Sequence, residues 1–277
     1  MPDPILPPET KAFITRLTAL YAEQPQVVAV ALGGSAAGGV ADASSDIDLE
    51  IYTSGDLPLS ARQAIVDRAG GARRGDIGHV YWGGGDEWID AATGSHVDAA
   101  TFDAGWMAGQ LRRVLVDHAP SLGYTTAFWH TIRNARPLHD PTGWFAALQA
   151  EAAQPYPEAL RRAIIAHNRP VLRGLISSYR AQIGKAAARG DVVSLNHRLA
   201  ALLASYFDIL FAANRLPHPG EKRLLALAVA LCPSLPEAMA ADVGDALVAA
   251  GAAPDELAAV VDRLLDRLEE WLGEQGF

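Results

Sequence analysis

The chain has 277 residues, half of them hydrophobic, and a formal net charge of −9. That length fits one large domain or two ordinary ones. A single cysteine, Cys232, excludes an intramolecular disulfide and a thiolate metal cluster, and its apolar context reads as a small buried hydrophobe. No apolar run is long enough to span a bilayer. The opening MPDPILPPET has neither the basic region nor the apolar stretch of a secretory signal, so a soluble, cytoplasmic protein is expected.

Charge is unevenly spread. Residues 1–104 hold 6 Lys and Arg against 15 Asp and Glu, while residues 105–277 hold 17 of each. An acidic field of this kind repels nucleic acid and favours divalent cations or cationic small molecules. No basic stripe with interleaved aromatics is present to offset it.

In chain order, residues 9–23 place Phe13, Ile14, Leu17, Leu20 and Tyr21 on one helical face, and Pro25 stops the helix. VVAVALGG (27–34) is a continuous apolar run ending in Gly, as in a buried strand. DIDLEIYT (46–53) alternates acid and apolar, the pattern of a strand with one polar face. Residues 57–70 predict a helix closed by Gly70-Gly71. Residues 76–83 predict a strand. Residues 87–103 predict a hairpin with Thr93-Gly94-Ser95 at its turn. From Trp106 onward the pattern is helical: 106–118, 121–134, 142–152, 157–189, 191–215, 221–231, 235–250 and 254–273. Pro170 is expected to kink or split the long fourth segment, and Gly190-Asp191 to separate two long helices. Arg161, Arg162, Arg169 and Arg173 read as a solvated face. The fold class expected is α+β, with a mixed-sheet unit over 1–104 and an all-α helical bundle over 105–277.

The chemistry is concentrated in GGSAAGGVADASSDIDLEIY (33–52). A Walker phosphate loop needs Lys-Ser/Thr where Val40-Ala41 stand, and a dinucleotide fingerprint needs Gly where Ser35 stands. A nucleophile elbow is nearly met by Gly33-Gly34-Ser35-Ala36-Ala37, which makes a serine hydrolase the rival reading. That rival leaves the acids after the turn unexplained. On a strand, Asp46, Asp48 and Glu50 share one face, about 6.6 Å apart from one to the next. Two such carboxylates can hold Mg²⁺, which takes one or two carboxylates and completes its shell with phosphate oxygens. Two glycines let backbone approach a phosphate closely, and the Ser35 hydroxyl adds a donor. Glu50 reads as solvated, with a deeper, ligand-orienting place as the alternative. The eight histidines, His79 and His96 on strands among them, read as structural.

Leu-Gly-Gly-Ser, about ten residues, then Asp-Ile-Asp-Leu resembles the nucleotidyltransferase superfamily that shares its palm with DNA polymerase beta. The spacing is similar to that of its small-molecule, antibiotic-modifying and minimal members. The resemblance implies a nucleotidyltransferase palm over residues 1–104. It implies Asp46, Asp48 and a third acid, Asp98 in HVDAATFD, as catalytic residues and metal ligands, with Asp90 and Asp103 as weaker candidates. Asp98 would complete the metal site or act as general base. Gly33, Gly34 and Ser35 would hold the triphosphate. YFDILFAANRLPHPGEKRLL (206–225) resembles a helix-loop-helix of members with a C-terminal bundle, which implies Lys222 at a nucleotide phosphate. The cofactors implied are Mg²⁺, two ions, and a nucleoside triphosphate as donor, ATP by preference. The activity implied is transfer of a nucleoside monophosphate, AMP by preference, to a hydroxyl of a small acceptor. The acidity points to a cationic, aminoglycoside-like acceptor. A protein acceptor of toxin–antitoxin type, a non-catalytic nucleotide-binding protein and a homo-oligomer stay open; membrane and nucleic-acid partners are not expected.

Overall fold

Alternation in the acidic segment produces a strand whose two faces differ, and the rest of the first unit is arranged around that difference. The computed structural model describes residues 6–34, 46–81 and 83–277. The chain forms two compact units. One comprises Met1–Leu111 with Thr131–Gln154, the other Arg112–His130 with Pro155–Phe277.

The first unit holds a six-stranded mixed sheet, which together with the C-terminal helices makes the chain α+β, as expected. Its strands are β1 (Val27–Leu32), β2 (Ile47–Thr53), β3 (Ala72–His79), β4 (Gly85–Asp90), β5 (His96–Asp103) and β6 (Arg136–His139), in the order β3-β4-β5-β2-β1-β6. β2 and β5 run parallel, and every other pair is antiparallel. Helices α1 (Pro8–Ala22) and α2 (Leu59–Ala69) cover one face. Phe13, Leu17 and Tyr21 of α1 and Ile65 and Val66 of α2 join Val30, Leu32, Ile47, Leu49, Ile51, Trp88, Val97 and Ala99 in one core. Burial of these side chains, each worth about 1.5–3 kcal/mol, pins the register of β2. The acids between them are thereby forced onto the opposite face.

Composition places a boundary at 104/105, but the strand pairing brings later residues to the sheet. β6 bonds to β1, with Val30 opposite His139 and Leu32 opposite Arg136. The four-residue RPLH carries no period long enough to be recognised as a strand. Helices α3 (Ala104–Leu115), α4 (Ala127–Asn134) and α5 (Trp144–Ala152) follow the predicted segments, with α4 shorter than expected. Gln149 of α5 donates to the carbonyls of Ile132 and Ala135, which ties the strand's entry to the helix after it.

The second unit is helical. The predicted 157–189 segment is three pieces: α6 (Glu158–Arg169), a π-helical turn Pro170–Gly174, and α7 (Tyr179–Ala187). Pro170 has no N–H to continue the ladder, so the break falls where proline chemistry puts it. Ser178 caps α7 by accepting from Ala181 N–H. Gly190, with φ of +64°, ends the turn, and Asp191 caps α8 (Val192–Ala213) by accepting from Ser194 N–H at 3.0 Å. Then come α9 (Leu224–Leu231), α10 (Met239–Ala252) and α11 (Pro254–Glu274).

The arginines read as a solvated face are instead pairing groups. Arg169 bonds Glu269, Arg173 bonds Asp266 at 2.5 Å and Arg180 bonds Asp262 at 2.6 Å, a ladder from α6, the π-helical turn and α7 to α11. Arg161 is buried, donates to the Ala213 carbonyl and lies over the Phe277 ring. Arg162, the most exposed of the four, also pairs with Glu158 at 3.2 Å. Cys232 is buried as expected, and burial pushes its thiol up to about 12.

Asp208 of α8 is buried among polar partners. It accepts from Thr125 N–H at 3.0 Å, the Thr125 hydroxyl at 2.6 Å and Asn168 Nδ2 at 3.3 Å. It thus holds the segment before α4 to α6 and α8. No helix among the described residues is long and apolar enough to cross a membrane.

Candidate active site on the open face of the sheet

Asp48, Glu50 and Tyr52 project from the face of β2 opposite its core, by the two-residue period of a strand, and Asp46 immediately precedes the strand. The parallel partner β5 sets Asp98 directly beside Asp48 in register. Neighbouring strands lie about 4.8 Å apart, so the two carboxylates share one small volume. On the other side of β5, Glu87 of β4 stands opposite Asp98, and Asp76 of β3 stands opposite Glu87. Four acids from four adjacent strands therefore form one lateral row. Like charges at this spacing repel, and a cation or proton among them relieves the repulsion.

The turn after β1 closes the row. Gly33 N–H donates to the Asp48 carbonyl at 2.9 Å. A Cβ on Gly33 would lie 2.6 Å from Glu50 Oε1. One on Gly34, whose φ is +60°, would lie 1.8 Å from Asp48 Oδ2. Gly34 demands glycine, by its left-handed backbone and by the Asp48 carboxylate in the way, while at Gly33 a side chain would have to displace the Glu50 carboxylate. Gly34→Ala is expected to lower stability by about 1–2 kcal/mol through the left-handed backbone alone. It should also push the Asp48 carboxylate out of the row. Thermal melting together with Mg²⁺-dependent nucleotide binding checks this; a variant that matches wild type in both would contradict the placement of the turn. Ser35 lies outside the described residues.

Glu50 differs from the solvated reading: it is buried, and accepts from the Tyr52 hydroxyl. Burial pushes its carboxyl up to about 7, with the Tyr52 bond opposing and the Asp48 charge adding. The physical reason is the set of neighbours. Ala31 and Ala100 flank it on β1 and β5, and Tyr52 stacks on Phe145 at 5.0 Å. No local period reveals a wall supplied by α5.

Three residues that the sequence did not assign to the site join the cluster, Asp76 through its register opposite Glu87 among them. Glu87 does so through its register. His96, read as structural, has Nδ1 3.0 Å from Asp46 Oδ1 and Nε2 2.7 Å from Glu87 Oε1. Burial lowers its imidazole, but the bonds to Asp46 and Glu87 outweigh that and raise it. The signal available in sequence was the alternation of His96 and Asp98 on one strand face. The weaker acid candidates have other work. Asp90 is buried and accepts from Ala92 N–H, Thr93 N–H and the Thr93 hydroxyl, which builds the hairpin turn. Asp103 accepts from Trp106 N–H at 2.7 Å at the start of α3. Lys222 belongs to the second unit, exposed just before α9.

Among the described residues, no group of three or more His, Cys, Asp or Glu side chains is arranged to hold a metal ion. Asp48 and Asp98, opposite each other in register, are a pair of carboxylates, the donor type and number that Mg²⁺ takes when water and phosphate oxygens complete its shell. The glycine turn lies so close to Asp48 and Glu50 that a Cβ at either glycine would meet a carboxylate.

A family model described as a domain of unknown function (DUF4037) matches residues 126–223. No curated protein matches the chain in sequence. The chain is similar in structure to a nucleotidyltransferase-like protein from Exiguobacterium sibiricum 255-15, at 12% identity, over 96% of this chain and 75% of that one, with a TM-score of 0.45. Likeness of that size places no residue, so the chemistry rests on this chain's own side chains.

Proposed function

We propose that this protein is a Mg²⁺-dependent nucleotidyltransferase that moves a nucleoside monophosphate, AMP in our reading, from a nucleoside triphosphate to a hydroxyl of a small acceptor. The observation that carries the reading is the in-register pair Asp48 and Asp98 on parallel strands, closed by a Gly33-Gly34 turn where a Cβ would meet a carboxylate. Asp46 and Asp48 would hold the divalent cation, with Asp98 as third ligand or as the base. When bound, the cation neutralises triphosphate charge and acts as a Lewis acid at phosphorus. Gly33 and Gly34 let the backbone approach the phosphates. As the acceptor oxygen attacks the α-phosphorus, its proton passes to Asp98 or to solvent. The bond from that phosphorus to the bridging oxygen breaks, and pyrophosphate leaves with the electron pair. The residues contribute position and charge, as phosphoryl-type transfer requires.

The acid row extending through Glu87 to Asp76 favours a cationic acceptor, for which aminoglycoside-like compounds are the first to try. Calorimetric titration with each of the four nucleoside triphosphates, with and without Mg²⁺, tests the core of the proposal. Binding of at least one triphosphate that depends on Mg²⁺ is expected. If none binds under either condition, the protein is not a nucleotidyltransferase.

A further inference from the structure

We infer that His96 is a positioning residue: through the bond from its Nδ1 it fixes the Asp46 carboxylate in the orientation from which Asp46 binds the divalent cation, with the Glu87 bond as a secondary hold. This rests on the nucleotidyltransferase reading only in assigning a cation to Asp46.

The geometry around the two Asp ligands is unequal. Asp48 lies inside β2, paired on both sides, and Gly34 presses against its carboxylate. Asp46 precedes the first residue of β2, and its side chain is 47% exposed. An exposed carboxylate ahead of a strand keeps its rotamer freedom, and ordering it for a ligand opposes binding. His96 supplies the missing restraint. Its strand, β5, lies between β4 and β2, and the Ile47–Val97 pair sets His96 beside Asp46. The ring bonds Asp46 through Nδ1 and Glu87 through Nε2. Glu87 stands mid-strand by its backbone, opposite both Asp98 and Asp76, while its side chain is 43% exposed, so its bond to the ring is a secondary hold. The bond from Nδ1 is the one that restrains Asp46. Hydrogen-bonded supports of metal-binding carboxylates commonly act in this way.

Two conservative variants separate this role from a general structural one. In His96→Asn the amide nitrogen falls where Nδ1 was, so the Asp46 bond survives and the Glu87 bond is lost. In His96→Gln the amide nitrogen falls where Nε2 was, so the Glu87 bond survives and the Asp46 bond is lost. Mn²⁺ binding is read by electron paramagnetic resonance, with a non-hydrolysable triphosphate present, and far-UV circular dichroism reports the fold. The Gln variant is expected to weaken Mn²⁺ binding by about 10- to 100-fold, and the Asn variant to stay much closer to wild type. Equal weakening in both variants, or no weakening in either while wild type binds Mn²⁺, overturns the role of His96 and leaves the nucleotidyltransferase reading intact. Wild type that binds no Mn²⁺ overturns both.

Discussion

On the proposed function, Asp48→Asn and Asp98→Asn are each expected to lower nucleotidyl transfer by about three orders of magnitude, while the protein stays folded. Each change keeps the side chain's shape and removes one negative charge from the centre of the acid row. Charge stabilisation at a metal-bound transition state is worth several kcal/mol, and about 1.4 kcal/mol is a factor of ten in rate. Asn keeps the size of Asp at both positions, so the melting temperature is expected to stay close to that of wild type as activity falls. Pyrophosphate release under single-turnover conditions, paired with thermal melting in chelator, reads both quantities. Full activity in either variant removes that residue from the site. Lost activity with a large drop in melting temperature would mark a structural role instead.

The second large effect lies in the helical unit and appears as pH dependence. Burial pushes the Asp208 carboxyl up to about 6, although the two Thr125 bonds, Arg113 and Asn168 oppose the shift. A folded-state value above the ordinary one means that folding favours the protonated acid. The corresponding stability is complete below about pH 4, begins to fall as the unfolded chain ionises, and is gone once pH has risen through the folded-state value. Between about pH 4.5 and about pH 7, Asp208 is expected to remove about 2 kcal/mol of stability. Asp208→Asn abolishes that component. The variant is also less stable at every pH, because its amide N–H₂ faces donors that the carboxylate accepted, at about 1–3 kcal/mol for each donor left unsatisfied. Urea unfolding across this range, wild type against variant, checks the sign. Parallel profiles would mean that Asp208 does not titrate in the interval.

Much of the first unit follows from local period. The alternation in DIDLEIYT predicts a two-faced strand, and β2 is that strand, with Ile47, Leu49 and Ile51 inward and the acids outward. The apolar run before the glycines predicts β1, and Thr93-Gly94-Ser95 sits at the turn of the β4–β5 hairpin. These elements are readable because each depends on neighbours two to four residues away. Elements that depend on distant partners escape the same reading. RPLH becomes β6 only because the edge of β1 accepts it. Arg169 and Arg173 look solvated until α11 brings Glu269 and Asp266 to them.

The candidate site divides along the same line. The sequence by itself determined the residue types: two glycines, then acids at strand spacing, then a third acid in an apolar-Asp-apolar context. Backbone sterics and the strand period are local, so a glycine turn and a one-faced set of carboxylates are written in order along the chain. Only the tertiary structure decided which acids meet. Strand register sets Asp98 beside Asp48, brings Glu87 into the row, places His96 between Asp46 and Glu87, and encloses Glu50 under Tyr52 and Phe145. Register is a property of pairs of strands, fixed by packing of the opposite face against α1 and α2, and no single segment contains it.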